Sequence, residues 1–340
     1  MATVVSFHRK TRDLRAMPDG QHNGTYQALK RFRSTGLGSH ALMACAATAV
    51  VASMAACSST GPLEEVRAAP TRGNTPAAVL AAPPPSADPD ATLARALKPV
   101  LRDGDTRLAV AVLALDGADR QIVSYRGDAA FDAASISKVD ILAALLLRAQ
   151  DEGRALTAEE RQAAESMIRT SDNDAANLLW RAIGKGEGLD AANERLGLHS
   201  TKAGAGVRWG LTQTTAKDQI RLLQAVFAHR PVASARSRQG LTGASRAFIR
   251  ELMGDIAKDQ DWGVSSVASR WALKNGWLQR STTELWVINS IGQVTVHGHR
   301  YVVSVLSSGN ASMEGGISLV ERAVRAAIGV ASAQVRPWPK

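Results

Sequence analysis

The chain has 340 residues, a formal net charge of +10, 45% hydrophobic residues and only 2 cysteines. The first 57 residues hold 7 of the 41 basic and 2 of the 31 acidic side chains, which leaves the rest of the chain at +5. So modest a charge gives no reason to predict nucleic-acid binding, and two cysteines exclude a disulfide framework.

Residues 1–57 are predicted to be an export signal. Basic residues ending at Arg33 precede an uncharged, mostly apolar run at 41–56, and Cys57 follows. Positive charge, a short apolar core and small residues are typical of a secretory signal. The alternative is an uncleaved membrane anchor, but the run is shorter than the roughly 20 residues that a spanning helix needs.

Residues 58–92 are rich in Pro and Ala and show no helical or strand period, which predicts an extended, disordered linker. Residues 93–335 have the length of one large domain. Hydrophobic periodicity predicts the following order there: a helix at 91–101, strands at 108–115 and 121–125, helices from 135 to about 260, strands at 268–274, 284–289, 293–296 and 301–307, and a helix at 315–333.

This order predicts an α+β fold. A mostly antiparallel sheet would be built from both ends of the domain and flanked by terminal helices, with an all-helical subdomain at about 135–260 inserted between its strands. A functional site is expected at the joint between sheet and helices, because pockets form preferentially between such units.

Ser135 and Lys138 lie at the start of the first helix of this subdomain. Residues three apart on a helix are surface neighbours, so the hydroxyl would lie beside the amine. The positive helix N-terminus disfavours a proton on the lysine, which could then take the proton of the serine. The alternative is an ordinary solvated lysine, since Ser-x-x-Lys is a weak pattern by itself.

Two further motifs follow. Ser171-Asp172-Asn173 is a rarer triplet, although Asp172 could simply cap the next helix. Lys274-Asn275-Gly276-Trp277 comes at the end of a predicted strand, where glycine would let another backbone approach closely. The alternative for Lys274 is a solvated lysine before a turn.

Together, and in this order, the three motifs resemble those of the penicillin-recognising serine enzymes, most closely the class A β-lactamases. The resemblance covers about 95–335 and implies the β-lactamase/DD-peptidase-like α+β fold. It implies that Ser135 is the acylated nucleophile, that Lys138 takes its proton, and that Ser171, assisted by Lys274, returns a proton to the leaving nitrogen.

The same resemblance implies the substrate contacts. Asn173 would bind a side-chain amide of the substrate, and Lys274 would also attract its carboxylate. Asn275, Gly276 and Trp277 would be further substrate-binding residues. The backbone N–H groups of Ser135 and Trp277 would form the oxyanion hole. The implied substrate is a β-lactam or a peptidoglycan-like peptide ending in D-Ala-D-Ala. We predict that the protein is a monomer without a metal or other cofactor.

The end of the apolar run, Met54-Ala55-Ala56-Cys57, resembles the lipobox of bacterial lipoproteins. This implies cleavage before Cys57 and lipidation of its thiol. The mature protein would lie on the extracytoplasmic face of the bacterial cell membrane and touch the membrane through the lipid anchor only.

The sequence departs from the class A pattern in the loop that should supply the deacylating glutamate. Residues 199–214 contain no acid, and the neighbouring acids Glu187, Asp190 and Glu194 lack the family context. Asn275 also replaces the usual Thr or Ser. We therefore predict an acyl-enzyme that hydrolyses slowly, with a penicillin-binding DD-peptidase or a non-catalytic cell-wall-binding lipoprotein as the alternatives.

Overall fold

A computed structural model describes residues 88–101, 106–116, 121–228 and 240–334. The predicted export signal, the lipidation site Cys57 and the linker up to residue 87 lie outside the described residues. Apart from the three internal gaps, no helix between 88 and 334 is both long and apolar enough to span a bilayer.

Five antiparallel strands form the main sheet, in the spatial order β2-β1-β7-β6-β5. A separate two-stranded ribbon joins β3 to β4. The strands are β1 Arg107–Ala114, β2 Val123–Tyr125, β3 Phe131–Asp132, β4 Gln213–Thr214, β5 Trp271–Gln279, β6 Trp286–Val296 and β7 His299–Asn310.

Helices cover both faces of the sheet. They are α1 Pro89–Leu97, α2 Ser137–Asp151, α3 Ala158–Arg169, α4 Asn173–Ala182, α5 Lys185–Leu196, α6 Ala216–Phe227, α7 Gly243–Met253 and α8 Met313–Gln334. The terminal helices α1 and α8 pack on one face, and α6 and α7 pack on the other. Helix α2 is buried almost all round, as expected of a helix at the centre of a helical layer.

The predicted α+β fold is confirmed, including the antiparallel sheet built from both ends of the domain. Helix α1 starts at Pro89, inside the range predicted as linker, because Asp88 caps it through the backbone N–H of Asp90 and proline suits the first helical position.

Two strand predictions were wrong in their limits. The strand predicted at 268–274 starts at Trp271 and continues to Gln279, and the strands predicted at 284–289 and 293–296 form one strand, β6. Gly292 lies within β6 and is needed there, because a Cβ would lie 2.4 Å from the carbonyl oxygen of Ala272 on β5.

Candidate active site

Ser135 lies in a 3₁₀ turn, Ala134–Ile136, that directly precedes helix α2; we call it the Ser135 turn. Ala134 has φ of +49°, a left-handed conformation that is strained for a residue with a Cβ. Ser135 is buried, with 7% of its surface exposed. Backbone strain beside a nucleophilic side chain is typical of functional sites.

Hydrogen bonds on two sides hold the strained turn. The backbone N–H of Ala133 donates to the carbonyl of Thr212 at 2.8 Å. The side-chain amide of Asn289, on β6, donates to the carbonyls of Asp132 at 2.8 Å and Ala133 at 3.0 Å. These bonds fix where α2 begins and therefore where Ser135 points.

Gly276 lets the edge strand β5 lie directly against the Ser135 turn. A Cβ at this position would lie 2.8 Å from the backbone nitrogens of both Ser135 and Ile136. We predicted that this glycine makes room for an incoming backbone. The backbone that it accommodates in the structure is that of the Ser135 turn.

Lys138 is fully buried in the first turn of α2. Its ammonium nitrogen donates to the carbonyl of Ser171 at 2.7 Å, to the hydroxyl of Ser171 at 3.0 Å and to Oδ1 of Asn173 at 2.8 Å. The predicted contact with Ser135 is not among these bonds. The resting structure therefore brings Lys138 to the Ser171-Asp172-Asn173 motif and not into hydrogen-bond contact with Ser135.

Ser171 lies between two lysines. Its hydroxyl also accepts from Nζ of Lys274 at 3.0 Å, and Lys274 donates in addition to the carbonyl of Asn275 at 2.9 Å. Ser171 has φ of +57°, and Asp172 caps α4 by accepting from the N–H of Ala175 at 2.8 Å. The two interpretations of this motif thus hold together: Asp172 starts the helix, and the residues on either side of it bind the lysines.

Burial disfavours the charged form of both lysines. It lowers the pKa of Lys138 well below its ordinary value, the charge of Lys274 lowers it further, and Asp172 raises it. Burial lowers the pKa of Lys274 to about 7. Two buried amines that share one serine hydroxyl repel each other when both are charged, so a proton on one disfavours a proton on the other.

The hydrogen-bond directions are compatible with one charged and one neutral lysine. A neutral Lys138 can donate to the carbonyl of Ser171 and to Asn173 while its lone pair accepts the Ser171 hydroxyl proton. Lys274, as an ammonium, then donates to the oxygen of Ser171. The hydrogen bonds form a continuous chain from Lys274 through Ser171 to Lys138.

The structure corrects the prediction for Asn275. Its side chain is fully buried, and Nδ2 donates to the carbonyls of Gln260 at 2.8 Å and Trp262 at 3.0 Å. Alternation along β5 places it on the opposite face from Lys274. Asn275 therefore holds the chain before β5 in place and is not positioned to contact substrate through its side chain.

The side chain of Trp277 packs away from Lys274. Its ring centroid lies 6.1 Å from that of Trp262, within the core on the α8 side of the sheet. Only the backbone N–H of Trp277 remains a candidate for the predicted oxyanion hole.

The acids near the loop at 199–214 are occupied elsewhere on the surface. Asp190 accepts from the N–H of Ala203 at 3.0 Å, Glu194 lies 3.2 Å from His199, and Glu187 is exposed. None of the three hydrogen-bonds to Lys138. The loop instead presents Trp209, whose ring centroid lies 4.8 Å from Nζ of Lys138.

A model of the beta-lactamase enzyme family matches residues 154–335, which is more than half of the chain. This chain belongs to the beta-lactamase enzyme family. The matched span includes Ser171, Asn173 and Lys274, and it begins after Ser135 and Lys138.

Solved structures share the fold. A class A beta-lactamase from Bacteroides cellulosilyticus DSM 14838 has a TM-score of 0.60 at 15% identity, covering 72% of this chain and 99% of that chain. PBP-A has a TM-score of 0.57 at 20% identity, covering 72% of this chain and 95% of that chain. A PBP-A variant is described as an acyl-enzyme complex with penicillin G. The predicted resemblance to class A β-lactamases is confirmed at the level of family and fold.

LppW of Mycobacterium tuberculosis (H37Rv), a proposed lipoprotein, is 29% identical over 170 residues, which is 50% of this chain and 50% of LppW. The chain therefore spans about half the length of the curated relatives that it matches.

Three residues of this beta-lactamase-family site escaped the sequence analysis in part or entirely. Asn289 supports the Ser135 turn, but a single asparagine within a strand carries no sequence signal. Trp209 lies over Lys138, and this position could not be inferred without the fold. Asp140, two residues after Lys138, is fully buried and faces Gln219 on α6.

Proposed function

We propose that the protein is a serine acyl-hydrolase that forms a covalent ester on Ser135 with β-lactams or D-Ala-D-Ala-like amides. The observation that carries this proposal is the buried Lys138–Ser171–Lys274 cluster beside the strained Ser135 turn. Burying two lysines is costly and adds little to a binding surface. Their hydroxyl partner and lowered pKa values suit proton transfer.

Acylation begins when the Ser135 oxygen attacks the amide carbonyl and its proton passes to the neutral amine of Lys138. The C–N bond then breaks, and the leaving nitrogen takes the proton of the Ser171 hydroxyl. Ser171 is reprotonated by Lys138, which returns the amine to its neutral form. The products are the Ser135 ester and an amine, which leaves when the substrate is a linear amide and stays attached to the acyl group when a β-lactam ring is opened. No proton is gained or lost overall.

This step requires Lys138 to come within hydrogen-bond reach of Ser135. In the resting structure its three bonds go to Ser171 and Asn173. Catalytic hydrogen bonds are often long or absent before substrate binds. An amide group of the substrate that bonds to Asn173 would release one of these contacts and free Lys138 to turn.

Charge on the carbonyl oxygen would be stabilised by the N–H groups of Ser135 and Trp277. Strand β5 is at the edge of the sheet, so alternate N–H groups along it have no partner strand. Gly276 brings this edge against the Ser135 turn, which places the two donors on neighbouring segments. Preset donors of this kind stabilise a developing oxyanion.

Hydrolysis of the ester is proposed to be slow. It requires a base within reach of an incoming water, and the loop at 199–214 contains no acid. Slow hydrolysis would favour a penicillin-binding peptidase or acyl trap over an efficient β-lactamase. A non-catalytic cell-wall-binding lipoprotein is the remaining alternative, and the buried Lys138–Ser171–Lys274 cluster argues against it.

We further propose that residues 1–57 direct export and that lipidated Cys57 anchors the domain through the linker at 58–87. Residues 41–57 and the lipoprotein relative LppW support this proposal. The protein would then act as a monomer on the extracytoplasmic face of the membrane, on small substrates and without a cofactor or nucleic-acid partner.

The test is covalent labelling with a fluorescent penicillin, followed by mass spectrometry of the intact protein and of its peptides. Wild type is expected to gain one adduct on Ser135, and Ser135→Ala is expected to gain none. Ser137→Ala is the matched control, because this neighbouring hydroxyl is buried and donates to the carbonyl of Ala134 at 2.8 Å. Labelling that disappears in the Ser137 variant but persists in the Ser135 variant would refute the assignment.

A further inference from the structure

Trp209 lies in a 3₁₀ turn, Trp209–Leu211, that packs directly against the Ser135 turn. Its ring centroid is 4.8 Å from Nζ of Lys138, and its side chain is only 8% exposed. The indole N–H donates to Oδ1 of Asn177, on α4, at 2.8 Å. The ring is therefore held in place from the side opposite its turn.

An indole face this close to an ammonium attracts the charged form and not the neutral amine, since the attraction comes from the ring quadrupole. The effect is strongest where both groups are removed from water. Trp209 thus opposes the burial that lowers the pKa of Lys138. The ring also contacts Lys138 in the orientation in which the lysine binds Ser171 and Asn173.

The other groups around Lys138 are few among the described residues. Ser171 and Asn173 accept its hydrogen bonds, Lys274 repels its charge from β5, and the exposed carboxylate of Asp172 attracts it weakly. Only Asp172 among these carries a negative charge, and it is committed to capping α4. The π face of Trp209 is a further buried group that favours the proton, in addition to the oxygens of Ser171 and Asn173 that accept hydrogen bonds from Lys138.

We propose that Trp209 is a positioning residue: its indole holds Lys138 against Ser171 and Asn173 and favours the ammonium form. The inference rests on the proposed function, in which Lys138 must be neutral to accept the proton of Ser135. A ring that favours the ammonium raises the pH at which the site becomes competent for acylation. It also discourages Lys138 from acting a second time, as the base for hydrolysis of the ester.

The test compares Trp209→Phe with Trp209→Leu. Both variants lose the hydrogen bond to Asn177 and stay apolar, but only Phe keeps a π face over Lys138. The pH dependence of the acylation rate with a penicillin is measured for each. The acid-side midpoint of the Leu variant is expected to lie about one pH unit below that of the Phe variant.

Trp180→Phe is the matched control. The indole of Trp180 is also buried and donates to the same loop, at the carbonyl of Gly206, at 2.8 Å. This variant should keep the wild-type midpoint. Equal midpoints for the Phe and Leu variants of Trp209, or an equal shift in the Trp180 control, would overturn the proposal and leave Trp209 a structural residue.

Tryptophan fluorescence tests the contact without any reaction. An ammonium beside an indole changes its emission, so titration of wild type should show a pH-dependent step that is lost in both Trp209→Phe and Lys138→Met. This readout separates the proposed role of Trp209 from the proposed acyl-enzyme on Ser135. It remains available if the Leu variant does not fold. A step without acylation supports Trp209 and refutes the acyl-enzyme, whereas a step that survives in Lys138→Met refutes the role of Trp209.

Discussion

Asp140 provides a test of the buried polar layer beneath the site. It lies on α2, is 1% exposed, and receives hydrogen bonds from Nε2 of Gln219 at 3.3 and 3.5 Å. Burial raises the pKa of its carboxyl to about 7, the bond from Gln219 opposes this, and the charge of Asp218 adds to it. Oε1 of Gln219 is buried without a hydrogen-bond partner among the described residues.

The direction in which stability changes with pH follows from the pKa values of Asp140 in the unfolded and the folded state. An unfolded Asp140 loses its proton near pH 3.8, and the folded one near pH 7. Between these values the folded state binds the extra proton, so the free energy of unfolding falls as pH rises. The loss is about 1.4 kcal/mol per pH unit, or on the order of 4 kcal/mol by pH 8 as an upper bound.

Asp140→Asn removes this ionisation and supplies an N–H that can donate to the unpartnered oxygen of Gln219. The variant should be more stable than wild type by about 2–4 kcal/mol at pH 8 and nearly equal to it at pH 4. Urea denaturation at pH 4, 6 and 8, followed by far-UV circular dichroism, measures the difference.

Asp218→Asn is the matched control, because both oxygens of this second buried carboxylate have bonded partners. It accepts from the N–H of Ser200 at 2.8 Å and the hydroxyl of Thr201 at 2.9 Å, and it pairs with Arg221. Its loss should destabilise the fold. If the Asn variant of Asp140 keeps the pH slope of wild type, the reasoning about that carboxyl fails.

Three further predictions concern the site and its anchor. Lys274→Met should slow labelling of Ser135 by at least 10²-fold. It should also flatten the rise in wild-type stability between pH 7 and 10.5, where the unfolded lysine binds a proton that the folded one has released. Denaturation curves whose stability changes with pH as in wild type would contradict this. Gly276→Ala should reduce labelling at least tenfold, because its methyl would press on the backbone of Ser135, whereas Gly240→Ala, with open space around it, should not. Equal labelling rates for the two variants would show that the close approach of β5 to the Ser135 turn is unimportant. Cys57→Ala should move the protein from the membrane fraction to the soluble fraction on cell fractionation, and soluble wild type with a free Cys57 thiol would contradict the anchor.

Sequence patterns predicted the parts of the fold and site that depend on local chemistry. Periodicity located the buried helix α2, with Lys138 in its first turn. Asp172 was correctly expected to cap a helix, because short polar side chains satisfy free N–H groups at helix ends. These features depend on residues within a few positions of each other.

Features that depend on strand register could not be predicted from local patterns. Asn275 follows Lys274 directly, and the register of β5 against β6 decides which of the two side chains lies on the face of Ser171 and which on the opposite face. The same holds for Gly276, whose need for a missing Cβ comes from a turn about 140 residues earlier in the chain. Such contacts join distant segments, and the sequence shows neither partner's position.

Lys138 shows that even the contacts of a residue within one motif cannot be predicted from spacing alone. The spacing predicted that it would contact Ser135, since the two are neighbours on a helix surface. Ser135 instead lies in a 3₁₀ turn before α2, and the left-handed conformation of Ser171 turns its carbonyl and hydroxyl toward the lysine. The resting partner of Lys138 was therefore decided by backbone conformations that the motif does not encode.

The central claim, an acyl-enzyme on Ser135 that forms readily and hydrolyses slowly, is tested most directly by stopped-flow mixing with a chromogenic cephalosporin. We predict a burst of about one equivalent per protein, followed by a steady-state rate at least 10²–10⁴-fold below that of class A β-lactamases, because the loop at 199–214 contains no acid to act as the general base. Intact-mass spectrometry should find the adduct persisting through the slow phase. Fast turnover without a burst would contradict the slow step, and the absence of both burst and adduct would contradict the acyl-enzyme itself.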